Sequence, residues 1–348
     1  MDGLNAKEIF MNSVLITPQQ LKQQQPLTSE LAAQVQQQRQ TIERILKGQD
    51  SRLLVITGPC SIHDPKAVFE YAEKLKKLQA QVEKQIYFVM RAYIEKPRTT
   101  VGWKGFLYDP NLNGQADLNE GLAQSRELYL QILNLGLPLA SEILNPMVTG
   151  YFDDLLAWGA IGARTSESQI HREIASSLPY PVGFKNGTDG SVQIATDAIL
   201  SSQHSHQFFA MGQTGAPVLL ASSGNPLAHI ILRGSNSGTN YDAASIQAIQ
   251  KTLKQPTAII VDCSHGNSGK DPLRQPEVLQ QVVQERELTQ VRGVMLESHL
   301  VDGQQKISEC MVYGQSVTDG CLGWDKTEAL LLEMAEQLDQ NQLKKIVA

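Results

Sequence analysis

The sequence predicts an α/β fold of the (β/α)8 TIM barrel class, and three observations lead to it. Eight short apolar runs recur between residues 53 and 297, and helical stretches separate them. Such runs are typical of parallel strands buried on both faces, and eight of them close a TIM barrel. Each run is followed closely by a residue that can bind an anion, transfer a proton or ligate a metal. These residues are Cys60, Arg91, Glu142, Arg164, Lys185, Arg233, His265 and Glu297. Because catalytic groups in this fold lie at the carboxyl ends of the strands, all eight are expected at one mouth.

Residues 1–50 are predicted to form an N-terminal extension to a barrel of residues 51–348. Thr17-Pro18 indicates the start of one helix, since proline is favoured at the first helical position. A second, amphipathic helix begins at Thr28-Ser29-Glu30 and ends at Lys47-Gly48. Its apolar stripe must cover either the bottom of the barrel or a neighbouring subunit.

From residue 53 onward, predicted strands and helices alternate. The strands are placed at 53–56, 87–90, 138–140, 160–163, 182–184, 230–232, 259–261 and 294–296. The helices are placed at 64–79, 118–135, 148–158, 167–177, 192–202 and 326–344. This alternation is the pattern expected of repeated βα units.

Two intervals between the predicted strands are longer than one helix and its turns require. The interval before residue 230 is predicted to hold an inserted β-hairpin at about 206–222, in which 207–211 pairs with 217–220 around a glycine-containing turn. The interval after the second strand holds a long loop from Glu95 to about Asp117. Loops of that length are usually functional.

Composition restricts the classes of function. The 348 residues exceed the roughly 250 of a bare barrel, so one barrel domain with additions is expected. A net charge of −6 argues against nonspecific binding to nucleic acid, which requires a basic face. No apolar run reaches the roughly 20 residues that cross a bilayer, and no export signal is present, so a cytoplasmic protein without a membrane partner is expected.

Four side chains near the predicted mouth have metal-ligand chemistry. They are Cys60, His265, Glu297 and, beyond the last strand, Asp319. A thiolate, an imidazole and two carboxylates suit manganese, iron, cobalt or zinc better than magnesium. Each residue alone also has a structural explanation, because a single cysteine is often a small core residue and a single histidine often caps a loop.

Six cationic side chains are predicted to converge on the same mouth. They are Arg91, Lys96, Arg98, Arg164, Lys185 and Arg233. One or two of them would be explained by structural ion pairs, but six would repel one another unless anions fill the site. Six cations with a divalent ion, less four ionised acidic groups, leave an excess of roughly +4. Two phosphates and one carboxylate bring roughly −4 to −5, which indicates two phosphorylated substrates, one of them also a carboxylate.

Five long motifs carry a resemblance to a known family. They are Gly58–Asp64, Lys96–Gly105, Ile161–Thr165, Val182–Gly190 and Asp262–Asn267. The chain resembles, over residues 14–330, the type I, aromatic-amino-acid-regulated 3-deoxy-D-arabino-heptulosonate 7-phosphate (DAHP) synthases. That family condenses phosphoenolpyruvate with erythrose 4-phosphate at the entrance to the shikimate pathway, on a metal-dependent (β/α)8 barrel.

The resemblance implies a role for each matching residue. It implies metal ligation by Cys60, His265, Glu297 and Asp319. It places Arg164, Lys185 and Arg233 on the phosphate of phosphoenolpyruvate, Arg91 and Lys96 near its carboxylate, and Arg98 and Thr99 on the phosphate of erythrose 4-phosphate. Lys96 is then the expected proton donor to the developing alkoxide, and Glu142 or His265 is expected to steer the attacking water.

The same resemblance implies regulation and assembly. In this family the N-terminal extension and the inserted hairpin build a site for phenylalanine, tyrosine or tryptophan, and the protomers form dimers or tetramers. The corresponding residues here are Pro146, Pro179, Phe208 and Ala210. Pro146 resembles tyrosine-sensitive members, whereas Pro179 and Ala210 replace serines common in phenylalanine-sensitive members. Tyrosine is therefore the expected effector, and an unregulated enzyme is the alternative.

Three other functions are open on the sequence. The first is the sister reaction of 3-deoxy-D-manno-octulosonate 8-phosphate synthase, which uses arabinose 5-phosphate, although its phosphate loop differs from Lys96–Thr99. The second is a non-catalytic barrel that binds an aromatic amino acid, which would require a broken site. The third is a metal-independent aldolase that forms a Schiff base through Lys185.

Overall fold

The protein folds as a closed eight-stranded parallel barrel, seen in a computed structural model that describes residues 13–347. The described strands are β1 (Leu53–Gly58), β2 (Ile86–Arg91), β3 (Leu139–Glu142), β4 (Trp158–Ile161), β5 (Val182–Lys185), β6 (Gln207–Met211), β7 (Pro217–Ala221), β8 (His229–Leu232), β9 (Ile259–Asp262), β10 (Gly293–Glu297), β11 (Val301–Gln304) and β12 (Gln315–Ser316). The barrel order is β1-β2-β3-β4-β5-β8-β9-β10, and β10 pairs with β1 to close it. The predicted fold class is confirmed.

Helices precede the barrel and connect its strands. Those described are α1 (Pro18–Gln24), α2 (Ser29–Leu46), α3 (Pro65–Val82), α4 (Leu118–Asn134), α5 (Thr149–Phe152), α6 (Gln169–Ser177), α7 (Gln193–Ser202), α8 (Ala243–Thr252), α9 (Gln275–Gln284), α10 (Arg286–Thr289) and α11 (Trp324–Val347). None of these described helices combines the length and the apolar character that crossing a membrane requires.

Helix α2 covers the amino ends of the barrel strands. Its buried residues Ile42, Ile45 and Leu46 join one apolar cluster with side chains that fill the barrel interior, including Leu54 and Trp158. Alternate residues of the same strands join the larger outer cluster against the helices. Each strand is therefore apolar on both faces, which explains the unbroken apolar runs of the sequence. The stripe of α2 covers the bottom of the barrel of its own chain.

The region before β4 differs from the prediction. The helix predicted over 148–158 is wrong, because a 3-10 turn (Pro146–Val148) and the four-residue α5 are followed by the non-helical residues 153–157 and then by a strand. The strand β4 begins at Trp158 rather than at residue 160. The Trp158 ring is fully buried in the barrel, and its Nε1 donates a hydrogen bond to Nε2 of His229 at 3.1 Å. Burial of this large side chain outweighs the helical pattern of the preceding residues.

The hairpin and the N-terminal segment pack together on the outside of the barrel. Strands β6 and β7 pair antiparallel, with Phe209 opposite Leu219. The backbone N–H of Gln19 in α1 donates to the carbonyl of Gln213 in the hairpin turn at 2.9 Å. Strands β11 and β12 were not predicted, because their partly exposed, polar residues lack the apolar pattern of a core strand.

Candidate active site

One cavity of about 510 Å³ opens at the carboxyl ends of the barrel strands. Eleven of the twelve residues predicted to bind metal or substrates, or to act on them, line it. They are Arg91, Lys96, Arg98, Thr99, Glu142, Arg164, Lys185, Arg233, His265, Glu297 and Asp319. The twelfth, Cys60, is buried just behind the wall, with its Sγ 2.8 Å from Nζ of Lys96. The fold thus brings residues from most of the chain to one place.

Three predicted metal ligands form a compact donor group. The Sγ of Cys60 and carboxylate oxygens of Glu297 and Asp319 all lie within 4.8 Å of one another. His265 lies beside this group, with its Nε2 3.9 Å from Oε1 of Glu297. Its Nδ1 contacts Oδ2 of Asp262 at 2.9 Å, which leaves Nε2 on the side of the donor group. Sulfur, oxygen and nitrogen donors in this arrangement fit a divalent transition metal.

The ammonium of Lys96 occupies a position between two of these donors. Its Nζ lies 2.8 Å from Sγ of Cys60 and 2.7 Å from Oδ2 of Asp319. Burial tends to raise the pKa of Asp319, but the charge and hydrogen bond of Lys96, together with His265 and Cys60, hold that pKa below its usual range. Burial, assisted by Glu297, raises the pKa of Cys60 to about 11. The donor group therefore attracts a cation, and a divalent ion would favour the thiolate.

Arg91 is buried at the end of β2, where a carboxylate and an aromatic ring fix it. Its Nη2 donates to Oε1 of Glu297 at 3.1 Å. Its Cζ lies 4.0 Å from the centroid of the Tyr93 ring, which is a cation–π contact. The guanidinium is thus positioned beside the donor group and faces the cavity.

Asp262, which the sequence analysis did not single out, connects the two halves of the site. Its Oδ2 lies 2.8 Å from Nζ of Lys185 and 2.9 Å from Nδ1 of His265. Although burial raises the pKa of Asp262, these two partners hold it well below its usual range. One buried carboxylate thus orients a predicted phosphate ligand and a predicted metal ligand together. The available signal was its position directly after the apolar residues of β9.

Two predicted phosphate-binding groups meet on the opposite side of the cavity. Nη2 of Arg164 donates to Oγ1 of Thr99 at 3.0 Å, although the resemblance assigns these residues to different substrates. The exposed Arg98 donates from Nε to the carbonyl of Trp103 at 2.7 Å. Burial and the nearby charge of Arg164 lower the pKa of Arg233. Cations that disfavour one another in this way indicate a site built for anions.

Close backbone approach shapes the cavity at Gly162, which follows β4. A Cβ at this position would lie 2.4 Å from Oε1 of Glu142, so any side chain would displace that carboxylate. The loop after β9 is also constrained, because His265 (φ 53) and Lys270 (φ 65) adopt left-handed backbone conformations. Both residues line the cavity. Strained backbone of this kind is typical of functional sites.

The four predicted effector residues lie away from this cavity. Pro146 is in the 3-10 turn before α5, and the adjacent strand β6 carries the buried Phe208 and the half-buried Ala210. Pro179 is exposed after α6. The Oγ of Ser176 at the end of α6 lies 2.6 Å from Oγ of Ser222 after the hairpin, which links these elements.

The barrel, its converging cations and its mixed donor group define a metal-dependent enzyme that acts on phosphorylated anions. The family model described as the DAHP synthetase I family matches residues 22–332, and the chain belongs to this family. It is 46% identical over 346 residues to the Tyr-sensitive phospho-2-dehydro-3-deoxyheptonate aldolase of Escherichia coli K12, with 97% of each chain covered. It is 50% identical over 333 residues to the Trp-sensitive enzyme of the same organism, with 93% of this chain and 95% of that one covered.

A solved structure supports the same family assignment. The phospho-2-dehydro-3-deoxyheptonate aldolase of Francisella tularensis SCHU S4 superimposes with a TM-score of 0.92 at 43% identity. The match covers 95% of this chain and 99% of that one. The family resemblance drawn from the five motifs is therefore confirmed.

Proposed function

We propose that this chain is a DAHP synthase. It condenses phosphoenolpyruvate with D-erythrose 4-phosphate and water, gives DAHP and phosphate, and so performs the first step of the shikimate pathway for aromatic amino acid biosynthesis. Membership of the DAHP synthetase I family over residues 22–332 supports this activity. The single observation that carries it is the cavity in which six cations surround a Cys/Glu/Asp donor group.

In this proposal the two substrates occupy adjoining parts of the cavity. Phosphoenolpyruvate places its phosphate on Arg164, Lys185 and Arg233 and its carboxylate near Arg91 and Lys96. The phosphate of erythrose 4-phosphate binds Arg98 and Thr99. The 3.0 Å contact between Arg164 and Thr99 supports adjoining phosphate sites, because it places a residue proposed for one phosphate beside a residue proposed for the other.

A divalent ion, manganese, iron, cobalt or zinc, would be held by Cys60, His265, Glu297 and Asp319. When bound, it supplies a Lewis acid that polarises the aldehyde. Carbon 3 of phosphoenolpyruvate attacks the aldehyde carbon, and the ammonium of Lys96 donates a proton to the oxygen that becomes negative. Burial tends to lower the pKa of Lys96, but Cys60, Asp319 and Glu297 together hold it above its usual range, so the group is charged and carries a proton to donate.

The second half of the reaction requires water at carbon 2. Glu142 or His265 orients that water. The carboxylate of Glu142 accepts its proton as it adds, and the bond between carbon 2 and the phosphate oxygen then breaks. Phosphate leaves beside Arg164, Lys185 and Arg233. Cations fixed before the reaction stabilise the charge that moves between these two steps without reorganisation of solvent.

Feedback inhibition belongs to the same proposal. Residues 1–50 form an extension that builds an effector site with the hairpin at about 206–222, and Pro146, Pro179, Phe208 and Ala210 line it. The contact between α1 and the hairpin turn supports this division, although residues 1–12 lie outside the described part of the chain. Tyrosine is the proposed inhibitor, and the assembly is a homodimer or homotetramer in the cytoplasm.

The activity is tested with purified protein, phosphoenolpyruvate and each of two aldehydes. DAHP and phosphate are expected from erythrose 4-phosphate, and a chelator should abolish their formation. Product from arabinose 5-phosphate alone would identify the octulosonate reaction instead. Activity that survives the chelator and is trapped by borohydride on Lys185 would identify a Schiff-base aldolase, and no product with either aldehyde would favour a binding-only barrel.

The regulatory part is tested by titrating that activity with tyrosine, phenylalanine and tryptophan separately. Tyrosine is expected to inhibit at the lowest concentration. Stronger inhibition by either other amino acid would correct the effector, and no inhibition by any of the three would show an unregulated enzyme. Light scattering of the same sample determines whether the assembly is a dimer or a tetramer.

A further inference from the structure

The cavity wall contains a hydroxyl group to which the reaction above assigns no role. Tyr93 follows β2 and lines the cavity, and its side chain is only 3% exposed. Its hydroxyl is buried and has no hydrogen-bond partner among the described residues. Buried tyrosine hydroxyls nearly always have a partner, because an unsatisfied one costs about 1–3 kcal/mol. Tyr93 combines such a hydroxyl with a place in the lining of a binding cavity, which points to a partner that the described residues do not supply.

The position of the Tyr93 ring indicates which part of the cavity it serves. The ring lies against the guanidinium of Arg91, with 4.0 Å between Cζ and the ring centroid. The same guanidinium contacts Glu297 at 3.1 Å. Tyr93 is thus on the side of the cavity where Arg91 and Lys96 are proposed to receive a carboxylate, and the cation–π contact limits movement of its ring.

The hydroxyl is present as a neutral donor in this environment. Burial raises the pKa of Tyr93, and the carboxylates of Glu142, Asp262 and Glu297 raise it further, against the opposing charge of Arg91. The phenol keeps its proton at neutral pH and can donate it in a hydrogen bond to an anion. A donor fixed beside a guanidinium matches the two oxygens of a substrate carboxylate.

We propose that the Tyr93 hydroxyl donates a hydrogen bond to the carboxylate of phosphoenolpyruvate, and that Tyr93 is a further substrate-binding residue of this enzyme. This inference rests on the proposed function, because it requires that Arg91 and Lys96 face that carboxylate. Tyr93 adds a neutral donor to the cations proposed to bind phosphoenolpyruvate, and it favours a ligand with a carboxylate over inorganic phosphate.

The test is the affinity of the Tyr93→Phe variant for phosphoenolpyruvate and for inorganic phosphate, measured by calorimetry on the metal-loaded protein. The ring and its contact with Arg91 remain, so only the hydroxyl is removed. We expect the Kd for phosphoenolpyruvate to rise about 10- to 100-fold, as for loss of a hydrogen bond to a charged group, and the Kd for phosphate to change less than about twofold. The midpoint of thermal unfolding should not fall, because the lost hydroxyl has no protein partner.

Tyr180→Phe is a matched control. The hydroxyl of Tyr180 is also buried without a partner among the described residues, and its ring also faces an arginine, with Cζ of Arg39 5.3 Å from the centroid. Tyr180 does not line the active-site cavity. Its variant should bind both ligands as the unmodified protein does, which separates loss of a buried hydroxyl in general from loss of this one.

Two results would overturn the inference. An unchanged Kd for phosphoenolpyruvate in Tyr93→Phe would show that the hydroxyl binds only a structural water. An equal loss for phosphoenolpyruvate and phosphate would show a general disturbance of the cavity rather than recognition of the carboxylate. These results differ from a failure of the proposed function, in which the unmodified protein would form no DAHP. The ratio of the Kd values of variant and unmodified protein is measured without turnover, so the two failures can be told apart.

Discussion

The two ends of the barrel are built from the same eight strands but have opposite chemistry. At the amino ends, Ile42 and Ile45 of α2 pack on the apolar side chains that fill the interior. At the carboxyl ends, the strands deliver buried ions such as Arg91, Lys185 and Glu297 to an open cavity. The amino end, which α2 closes, stabilises the fold through apolar burial. The carboxyl end, which is open, holds charges that a ligand must balance.

The largest expected effect is at the open end, for Lys185→Met. The variant removes a proposed phosphate ligand and leaves the fully buried Asp262 without the ammonium that it contacts at 2.8 Å. We expect kcat/KM for phosphoenolpyruvate to fall about a hundredfold or more and the free energy of unfolding to fall by about 3–5 kcal/mol. Steady-state kinetics and urea unfolding measure the two effects.

Lys254→Met is the matched control for that substitution. Lys254 also pairs with an aspartate, Asp197 at 3.6 Å, but its side chain is 61% exposed. Exposed pairs contribute little, so neither activity nor stability should change measurably. A loss of stability in Lys254→Met comparable to that in Lys185→Met would show that burial is not what makes the open end sensitive.

The next effect is at the closed end, for Ile42→Ala. Ile42 is fully buried between α2 and the barrel interior, so the truncation leaves a cavity. The free energy of unfolding should fall by about 2–5 kcal/mol, and KM for both substrates should be unchanged. A raised KM without a loss of stability would contradict the separation of the two ends.

Acid should weaken the closed end through His229, which lies at the start of β8. Its Nε2 accepts from Trp158 and its Nδ1 donates to the carbonyl of Leu227 at 2.8 Å, so both nitrogens are satisfied in the neutral ring. Burial lowers the pKa of His229 from 6.5 to about 4. The unfolded chain therefore binds more protons than the folded protein between pH 6.5 and 4, and the free energy of unfolding falls as the pH falls through this window.

The size of the acid effect can be measured with urea unfolding at pH 7 and pH 5. The linkage from His229 amounts to about 2 kcal/mol at pH 5. His229→Gln keeps an acceptor for Trp158 but does not titrate, so its stability should depend less on pH. Part of the dependence should remain, because burial also lowers the pKa of His63 and His299. An identical pH dependence in His229→Gln would disprove the assignment.

The smallest effect is expected for Thr28→Ala at the start of α2. The Thr28 hydroxyl accepts from the N–H of Leu31 at 3.3 Å and caps the helix. Removing the cap should lower the free energy of unfolding by about 1 kcal/mol without changing kinetics. Thr28→Ser retains an N-cap hydroxyl and should restore most of the stability, which thermal unfolding of the two variants would show.

The sequence was sufficient for the barrel because each strand is buried on both faces and its apolar residues are contiguous. It also indicated α2 through its capping residue and apolar stripe. The helix predicted over 148–158 failed because the placement of the Trp158 ring depends on the other strands of the barrel, which no local pattern contains.

In the site, too, the sequence predicted the residues that a local pattern marks but not the contacts that depend on the fold. Charged residues after the strands were visible in the sequence as candidates, since they interrupt apolar runs. The contact of Asp262 with Lys185 joins residues 77 positions apart, so it forms only when the barrel closes. In the sequence Tyr93 looks like any buried aromatic residue. Only the structure shows that it lines the cavity and that its hydroxyl has no partner among the described residues.

The most direct test of the proposed site is a titration of metal-free protein with cobalt(II), followed by absorption spectroscopy. We predict that one equivalent binds and produces a thiolate-to-cobalt charge-transfer band, that Cys60→Ala abolishes this band, and that Cys310→Ala, which alters an exposed cysteine, retains it. A band that persists in Cys60→Ala, or no binding by the unmodified protein, would contradict a metal site formed by Cys60, His265, Glu297 and Asp319.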